Sequence, residues 1–149
     1  MRGSQSGKHG YLYPMSHLPR EWRFLKAAWV YALVVTGSAK TANEKLFAAL
    51  QATVARLDVA FSRRRRKFLL ARLHRDCAGA QTHSEQSLDD SLEPFRKLSE
   101  PGRSALLMLY LRVLPIDEIA DVLGKTEKEL PDILAGARGN LESALEPAR

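Results

Sequence analysis

Residues 97–145, KLSEPGRSALLMLYLRVLPIDEIADVLGKTEKELPDILAGARGNLESAL, contain three apolar segments with the period of an α-helix. The first segment is Ser104–Val113, and the second runs from Pro115 to Gly124. The third follows a capping box, in which Thr126 accepts from the amide three residues on and Glu129 accepts from the amide of Thr126. Two short helices around a glycine corner predict a helix-turn-helix.

The last helix of this segment is predicted to begin at Glu127 and to be acidic at its start. Carboxylates at Glu127, Glu129 and Asp132 repel a phosphate backbone, because affinity for DNA depends on cations that release counterions. Pro131 lies beyond the free first-turn amides of such a helix and is expected to cost about 3 kcal/mol. The predicted inward side chains are Leu130, Ile133, Leu134, Ala137, Leu141 and Leu145.

These residues resemble the C-terminal promoter-binding domain of the extracytoplasmic-function (ECF) sigma factors. Asp117–Ala120 and Val122–Gly124 stand in register with landmarks of that domain. The resemblance implies small, polar and basic side chains on the second helix of the motif, where this chain has acids. The cations left on this surface, as candidates for nucleic-acid binding, are Lys125, Lys128 and Arg138.

Two helices are predicted in the first part of the chain, on either side of a glycine. The apolar stripe of Glu21–Thr36 ends at Gly37, which suits the residue after a helix. A capping box of Thr41 and Glu44 is predicted to start the next helix. Its expected packing residues are Leu46, Leu50, Val54, Leu57 and Phe61.

A basic helix follows in Ser62–Ala80, SRRRRKFLLARLHRDCAGA. Its apolar side carries Leu69, Leu70, Leu73 and Cys77 at helical spacing. Its other side places Phe68 in a basic field, a pattern typical of nucleic-acid or acidic-partner binding. The alternative is that the arginines only solvate a helix start and that Phe68 packs into the core. The basic candidates are Arg64, Arg65, Arg72 and Arg75.

The first part resembles the N-terminal lobe of ECF sigma factors, with Val35–Gly37 at the corner before the polymerase-binding helix. The family's Glu-Asp-Leu-Val-Gln becomes Asn43–Phe47, which keeps one acid and loses the glutamine. The resemblance implies that Glu44 and Phe47 contact a partner, either an anti-sigma factor or polymerase.

The predicted fold class is all-α, with two small helical lobes joined by a polar linker. Residues 1–19 are expected to be a disordered tail, and residues 20–80 to form a lobe similar to sigma region 2. Residues 81–94 are polar, acidic and without helical period, which predicts the linker. Residues 95–149 are expected to form the region 4-like helix-turn-helix lobe.

A further resemblance is to the sigma-like domain of the PhyR-type general-stress response regulators, through Thr36–Ser38, Ala48–Leu50 and the acidic last helix. Members of that family imitate a sigma factor and capture an anti-sigma protein. The leading hypothesis is therefore a sigma mimic that binds an anti-sigma factor in a stress response. The candidate partner-binding residues, for an anti-sigma factor or for polymerase, are Glu44, Phe47, Glu127, Glu129 and Asp132. The alternative is a divergent ECF sigma factor that binds RNA polymerase core and promoter DNA, and a third is a sequence-independent nucleic-acid binder.

Charge and composition narrow the function classes. The net charge is +6, divided into +11 over residues 1–80 and −5 over residues 81–149, so the basic charge lies away from the helix-turn-helix. The apolar runs are too short for a membrane span, the N-terminus lacks a signal-peptide core, and one cysteine forms no disulfide framework, which together predict a cytoplasmic protein. His74 and Cys77 lack a second metal-ligand pair and no nucleophile or phosphate-loop motif occurs, so we predict no metal, no cofactor and no enzyme activity.

Overall fold

The computed structural model describes residues 20–56, 63–78 and 87–145, which form seven helices and no strand. The predicted all-α class is therefore confirmed for the described residues. Within them, no helix has both the length and the apolar character needed to cross a bilayer. The predicted tail at residues 1–19, together with Leu57 and Phe61, lies outside the described residues. The helices are α1 (Arg20–Thr36), α2 (Ala39–Arg56), α3 (Arg63–Ala78), α4 (Glu93–Arg96), α5 (Gly102–Leu111), α6 (Ile116–Leu123) and α7 (Leu130–Leu145).

Helix α1 is the central element of the packing. Every side chain from Val30 to Val35 is buried, and α1 contacts α2, α3, α4 and α5. A helix that is apolar on all sides is stable in water only when other elements surround it. The first three helices and the last four therefore share one hydrophobic core, with Leu69, Leu70 and Leu73 of α3 fully buried in it as predicted.

Helix α2 begins earlier than the sequence predicts. The Oγ of Ser38 accepts a hydrogen bond from the amide of Thr41 at 3.3 Å, and the first helical bond joins the amide of Ala42 to the carbonyl of Ser38. The capping box predicted at Thr41 and Glu44 is therefore wrong, because Ser38 caps the helix three residues earlier and accepts from the amide of Thr41. The core side of α2 is formed by Ala42, Ala49 and Thr53, with Leu46 and Leu50 half-buried.

The last part of the predicted linker packs against the core. Leu88 and Leu92 are buried, and the Glu93 carboxylate accepts from the amide of Leu88 at 3.2 Å. Helix α4 then buries Phe95. Residues 87–94 are thus part of the folded body, while residues 81–86 lie outside the described residues.

The two corners of the helix-turn-helix region end in the same hydrogen-bond pattern. After α6, Gly124 is left-handed (φ 70°), and the amide of Lys125 donates to the carbonyl of Ala120 at 2.9 Å. After α5, Arg112 is left-handed (φ 56°), and the amide of Val113 donates to the carbonyl of Met108 at 3.2 Å. Both are Schellman motifs, in which glycine is the usual left-handed residue.

Helix α7 crosses α5 closely enough that a side chain at Gly102 would be tightly packed. A Cβ on Gly102 would lie 3.0 Å from the Cβ of Ala137, whereas a Cβ on Gly136 would meet nothing within 4 Å. We expect Gly102→Ala to destabilise the protein by about 1–3 kcal/mol through overpacking. Gly136→Ala is the matched control and should stabilise by about 0.5–1 kcal/mol, because alanine is the better helix former. Urea unfolding measures both, and equal effects of the two changes would contradict this packing.

Candidate functional site

Helix α2 presents apolar side chains to solvent. Phe47 and Val54 are two turns apart on one side of the helix, and they are 62% and 63% exposed. Glu44, one turn before Phe47, is also exposed. We call Glu44, Phe47 and Val54 the α2 surface. Val54 was expected to pack on α1, but it faces outward because Ala49 and Thr53 occupy the core side.

The basic surface of α3 is partly neutralised by its own helix. The Nε of Arg72 donates to Asp76 at 2.9 Å, and the Nε of Arg75 lies 3.8 Å from the same carboxylate. Arg64 and Arg75 are exposed. Phe68 and Arg65 are half-buried, so the aromatic ring presents only part of its surface to a partner.

One further cation of α3 is paired with α6. The Nζ of Lys67 lies 2.6 Å from a carboxylate oxygen of Asp121, with the two side chains 39% and 60% exposed. This ion pair connects the basic helix to the helix-turn-helix. Both side chains are exposed and solvent screens their charges, so the pair orients the two helices more than it stabilises them.

The acidic turn before α7 contains the predicted capping box. The amide of Glu129 donates to the Oγ1 of Thr126 at 3.1 Å, and the amide of Thr126 donates to the Glu129 carboxylate at 2.8 Å. The hydrogen bond from the Thr126 amide stabilises the charged carboxylate of Glu129 and so lowers the pKa of Glu129 from its ordinary value. Glu129 therefore has a structural role, whereas Glu127 and Asp132 are exposed and leave their carboxylates to solvent.

Pro131 is not the obstacle that the sequence predicts. Residues 127–129 form a turn, and α7 begins at Leu130, so Pro131 is the second helical residue. First-turn amides have no partner within a helix, and proline is tolerated there. The capping box follows the prediction, but the regular helix begins three residues after the predicted Glu127, with Pro131 in its first turn. Leu145, predicted to point inward, is 62% exposed.

The cations of the helix-turn-helix region do not gather at one point. Lys125 and Lys128 lie in the corner and the turn before α7, and Arg138 lies two turns along the helix. All three are exposed. The acids Glu127 and Asp132 lie among them, so this surface carries mixed charge rather than the basic stripe of a DNA-binding helix.

A chain of hydrogen-bonded polar groups, buried at Tyr31 and Ser104, connects α1, α3 and α5. The hydroxyl of Tyr31 lies 2.8 Å from the Nδ1 of His74 and 2.9 Å from the Oγ of Ser104. The Oγ of Ser104 donates to the Glu100 carboxylate at 2.9 Å, and that carboxylate also accepts from the Nε of Arg103 at 2.9 Å. We call Tyr31, His74, Ser104 and Glu100 the polar chain.

The carboxylate sets the direction of every hydrogen bond in the polar chain. An ionised Glu100 only accepts, so Ser104 gives it its single hydroxyl proton. Tyr31 must then donate to Ser104, and the Nδ1 of His74 must carry the proton that it donates to Tyr31. From the sequence we interpreted Tyr31 as a core residue and His74 as a metal ligand without a second pair. No local pattern indicates that Tyr31 bonds to residues 43 and 73 positions away.

We expect Tyr31→Phe to destabilise the protein by about 1–3 kcal/mol. The change leaves the Nδ1–H of His74 and the buried Oγ of Ser104 each without one partner, and buried polar groups without partners are costly. Tyr110→Phe is the matched control, because Tyr110 is 51% exposed and should change stability by less than about 0.5 kcal/mol. Equal midpoints of urea unfolding for the two variants would contradict the polar chain.

Acidification should weaken the fold through His74. Burial lowers the pKa of His74 below its ordinary 6.5, with a raising contribution from Glu100 and a lowering one from Arg103. The unfolded chain therefore takes up this proton first, so the stabilisation is complete above pH 6.5 and falls as the pH drops below it. His74→Asn keeps a donor at the Nδ1 position and removes the titration. Urea unfolding at pH 7 and pH 5 should show a smaller pH dependence in this variant, and an unchanged dependence would contradict the assignment.

Cys77 has no reactive character in this structure. Its side chain is buried against the core, and burial raises the pKa of the thiol to about 12. A thiol with this pKa is almost wholly protonated at neutral pH and is a poor nucleophile and metal ligand. Within residues 20–56, 63–78 and 87–145, no three His, Cys, Asp or Glu side chains are grouped so as to hold a metal ion.

The structure thus brings the predicted residues to three separate surfaces rather than to one cleft. Glu44 and Phe47 lie on α2, the arginines lie on α3, and Glu127 and Asp132 lie at the start of α7. Comparison of the whole chain with protein-family models, with curated proteins and with solved structures finds no match.

Proposed function

We propose that this chain is a sigma-factor-like transcription regulator that binds an anti-sigma factor in a stress response. In this proposal α1–α3 correspond to a region 2-like lobe, and α4–α7 to a region 4-like lobe. The protein acts in the cytoplasm as a binding module, without a cofactor and without catalysis. The observation that carries the proposal is the exposed acidic start of α7, at the place where a DNA-binding helix-turn-helix presents cations.

Electrostatics at α7 favour a protein partner over DNA. Glu127 and Asp132 are exposed and face solvent beside Lys125 and Lys128. Each carboxylate placed against a phosphate backbone opposes the counterion release that supplies most DNA affinity. Charged residues at the rim of a protein interface instead set the association rate and exclude wrong partners.

The α2 surface supplies the apolar part of the proposed interface. Aromatic side chains, phenylalanine among them, are enriched at protein interfaces relative to the rest of the surface. Phe47 and Val54 lie at the spacing that an amphipathic helix of a partner contacts along its length. Glu44 at the edge of this surface adds a charge that a basic partner residue can pair with.

The second candidate function is a divergent ECF sigma factor that binds RNA polymerase core and promoter DNA. The exposed guanidinium groups of Arg64 and Arg75 favour it, because a basic helix is what promoter melting requires. The pairing of Arg72 with Asp76 counts against it, since an internal carboxylate competes with phosphate for the same cation. The proposal of a mimic accounts for both the acids of α7 and this pairing.

A reconstituted transcription assay tests the proposal. Core polymerase, a stress sigma factor and its anti-sigma protein are mixed so that run-off transcription is inhibited, and the purified chain is then added. We expect transcription to recover in proportion to the chain, because capture of the anti-sigma protein releases the sigma factor by mass action. No recovery, together with promoter-dependent product from the chain and core polymerase alone, would establish the second candidate instead.

The double variant Glu127→Gln, Asp132→Asn sharpens this assay. It removes two exposed charges and leaves the capping box of Thr126 and Glu129 intact. Recovery of transcription should then need more of the chain, and the difference should shrink at high salt. Glu142→Gln is the matched control, because Glu142 is an exposed acid on the same helix away from the turn.

A further inference from the structure

A cavity of about 510 Å³ lies where α1 and α3 meet the corner between α5 and α6. Its apolar wall includes Phe24 and Ala27 of α1 and Val113, Leu114 and Ile116 of the corner. A volume of this size lies within the range of sites for small organic ligands. Ile116 is 51% exposed, which places an uncovered apolar side chain among the residues that line this cavity.

Three arginines from three separate elements also line this cavity. Arg23 belongs to α1, Arg66 to α3 and Arg112 to the corner after α5. The guanidinium of Arg66 lies over the ring of Phe24, 6.0 Å from its centroid. Across the part of the chain that the structure describes, none of these arginines forms an ion pair with a carboxylate, and none of the cavity's lining residues is acidic.

Arg112 occupies a backbone position where glycine is the normal choice. It is the one non-glycine residue with positive φ among the described residues, and Gly124 fills the equivalent place after α6. A left-handed conformation is unfavourable for a residue with a Cβ. Strained residues of this kind concentrate at ligand sites, where the side chain serves a purpose that a glycine cannot.

We propose that this cavity binds a small amphiphilic anion, with the apolar tail against Ala27 and Ile116 and the carboxylate or phosphate head among Arg23, Arg66 and Arg112. The head group would neutralise three like charges that have no carboxylate partner in the described chain, and guanidinium groups bind such oxyanions with paired hydrogen bonds. Because its walls come from α1, α3 and the corner between α5 and α6, an occupied cavity also connects α1 and α3 to the helix-turn-helix. This site is independent of the anti-sigma partner proposed above.

Isothermal titration calorimetry on the full chain tests the proposal. Decanoate and decyl phosphate, each below its micelle concentration, serve as probes for the two kinds of head group. Decan-1-ol carries the tail alone, and inorganic phosphate carries the head alone. We expect saturable one-site binding of at least one amphiphilic anion, and at least tenfold weaker binding of the alcohol and of inorganic phosphate. Absence of saturable binding by both amphiphiles would overturn the proposal.

Arg112→Gly separates binding from folding. It removes one guanidinium and relieves the left-handed backbone, so affinity should fall about tenfold or more while the unfolding midpoint stays equal or rises. Arg75→Gln is the charge-matched control, because Arg75 is on α3 with Arg66 but does not line the cavity. It should leave affinity unchanged. Equal losses in the two variants would mean that the anion binds by general surface charge, and the cavity site would be refuted.

Discussion

Leu92→Ala should lower the free energy of unfolding by about 2–5 kcal/mol, the cost of truncating a fully buried leucine. Leu92 is 0% exposed, and it lies between the two halves of the chain at the entry to α4. Its removal leaves a cavity in the core at the start of α4, the helix that packs against α1. The size of the effect follows from close packing, since the surrounding helices relax only partly into the space.

Leu145→Ala is the matched control for this experiment. The same atoms are removed from a side chain that is 62% exposed at the end of α7, so the change should stay within about 0.5 kcal/mol. Guanidinium unfolding followed by far-ultraviolet circular dichroism measures both variants. A Leu92→Ala protein as stable as Leu145→Ala would mean that residues 87–94 behave as a free linker after all.

The linker boundary shows what a sequence period cannot detect. Leu88 and Leu92 are one turn apart, but three polar residues separate them and the segment contains too few apolar positions to define a face. Their burial comes from packing into the shared hydrophobic core, which is a tertiary property. The long helices α1 and α3 were predictable because each carries several apolar residues at helical spacing.

The two predicted capping boxes show that a local sequence pattern does not always locate a helix start. Both obey the same sequence rule, and only the box of Thr126 and Glu129 forms. In the other, Ser38 lies upstream and caps α2 first, so Thr41 becomes an interior residue of the helix. A start signal is therefore predictive where no better cap precedes it.

Some features of the candidate surfaces follow from the sequence, and others depend on the tertiary structure. Phe47 and Asp132 are exposed on the outer sides of α2 and α7, and Glu127 is exposed in the turn before α7. The polar chain and the cavity depend on residues brought together from α1, α3 and α5. Of these residues, only Arg112 has a local sequence signal, because an arginine lies at a helix end where glycine is favoured.

Phe47→Ala should weaken the complex with an anti-sigma protein by about 30-fold or more, which corresponds to the 2 kcal/mol or more of a binding hot spot. Phe47 is a large aromatic with 62% of its surface free, and Val54 extends the same apolar side. Covering this surface removes apolar area from water, at about 25 cal/mol for each Å². Removing the ring takes away most of that area without touching the core.

Trp22→Ala is the matched control, because Trp22 is an aromatic of α1 with the same 62% exposure. Both variants should unfold at the wild-type midpoint, since exposed substitutions rarely change stability by more than about 0.5 kcal/mol. Surface plasmon resonance against the anti-sigma protein and against core polymerase then separates the two proposed functions. A loss confined to the anti-sigma protein supports the mimic, and a loss confined to polymerase supports the sigma factor. If Phe47→Ala binds both partners as tightly as the wild type, α2 has no part in either interface and the mimic would have to bind through α7 alone.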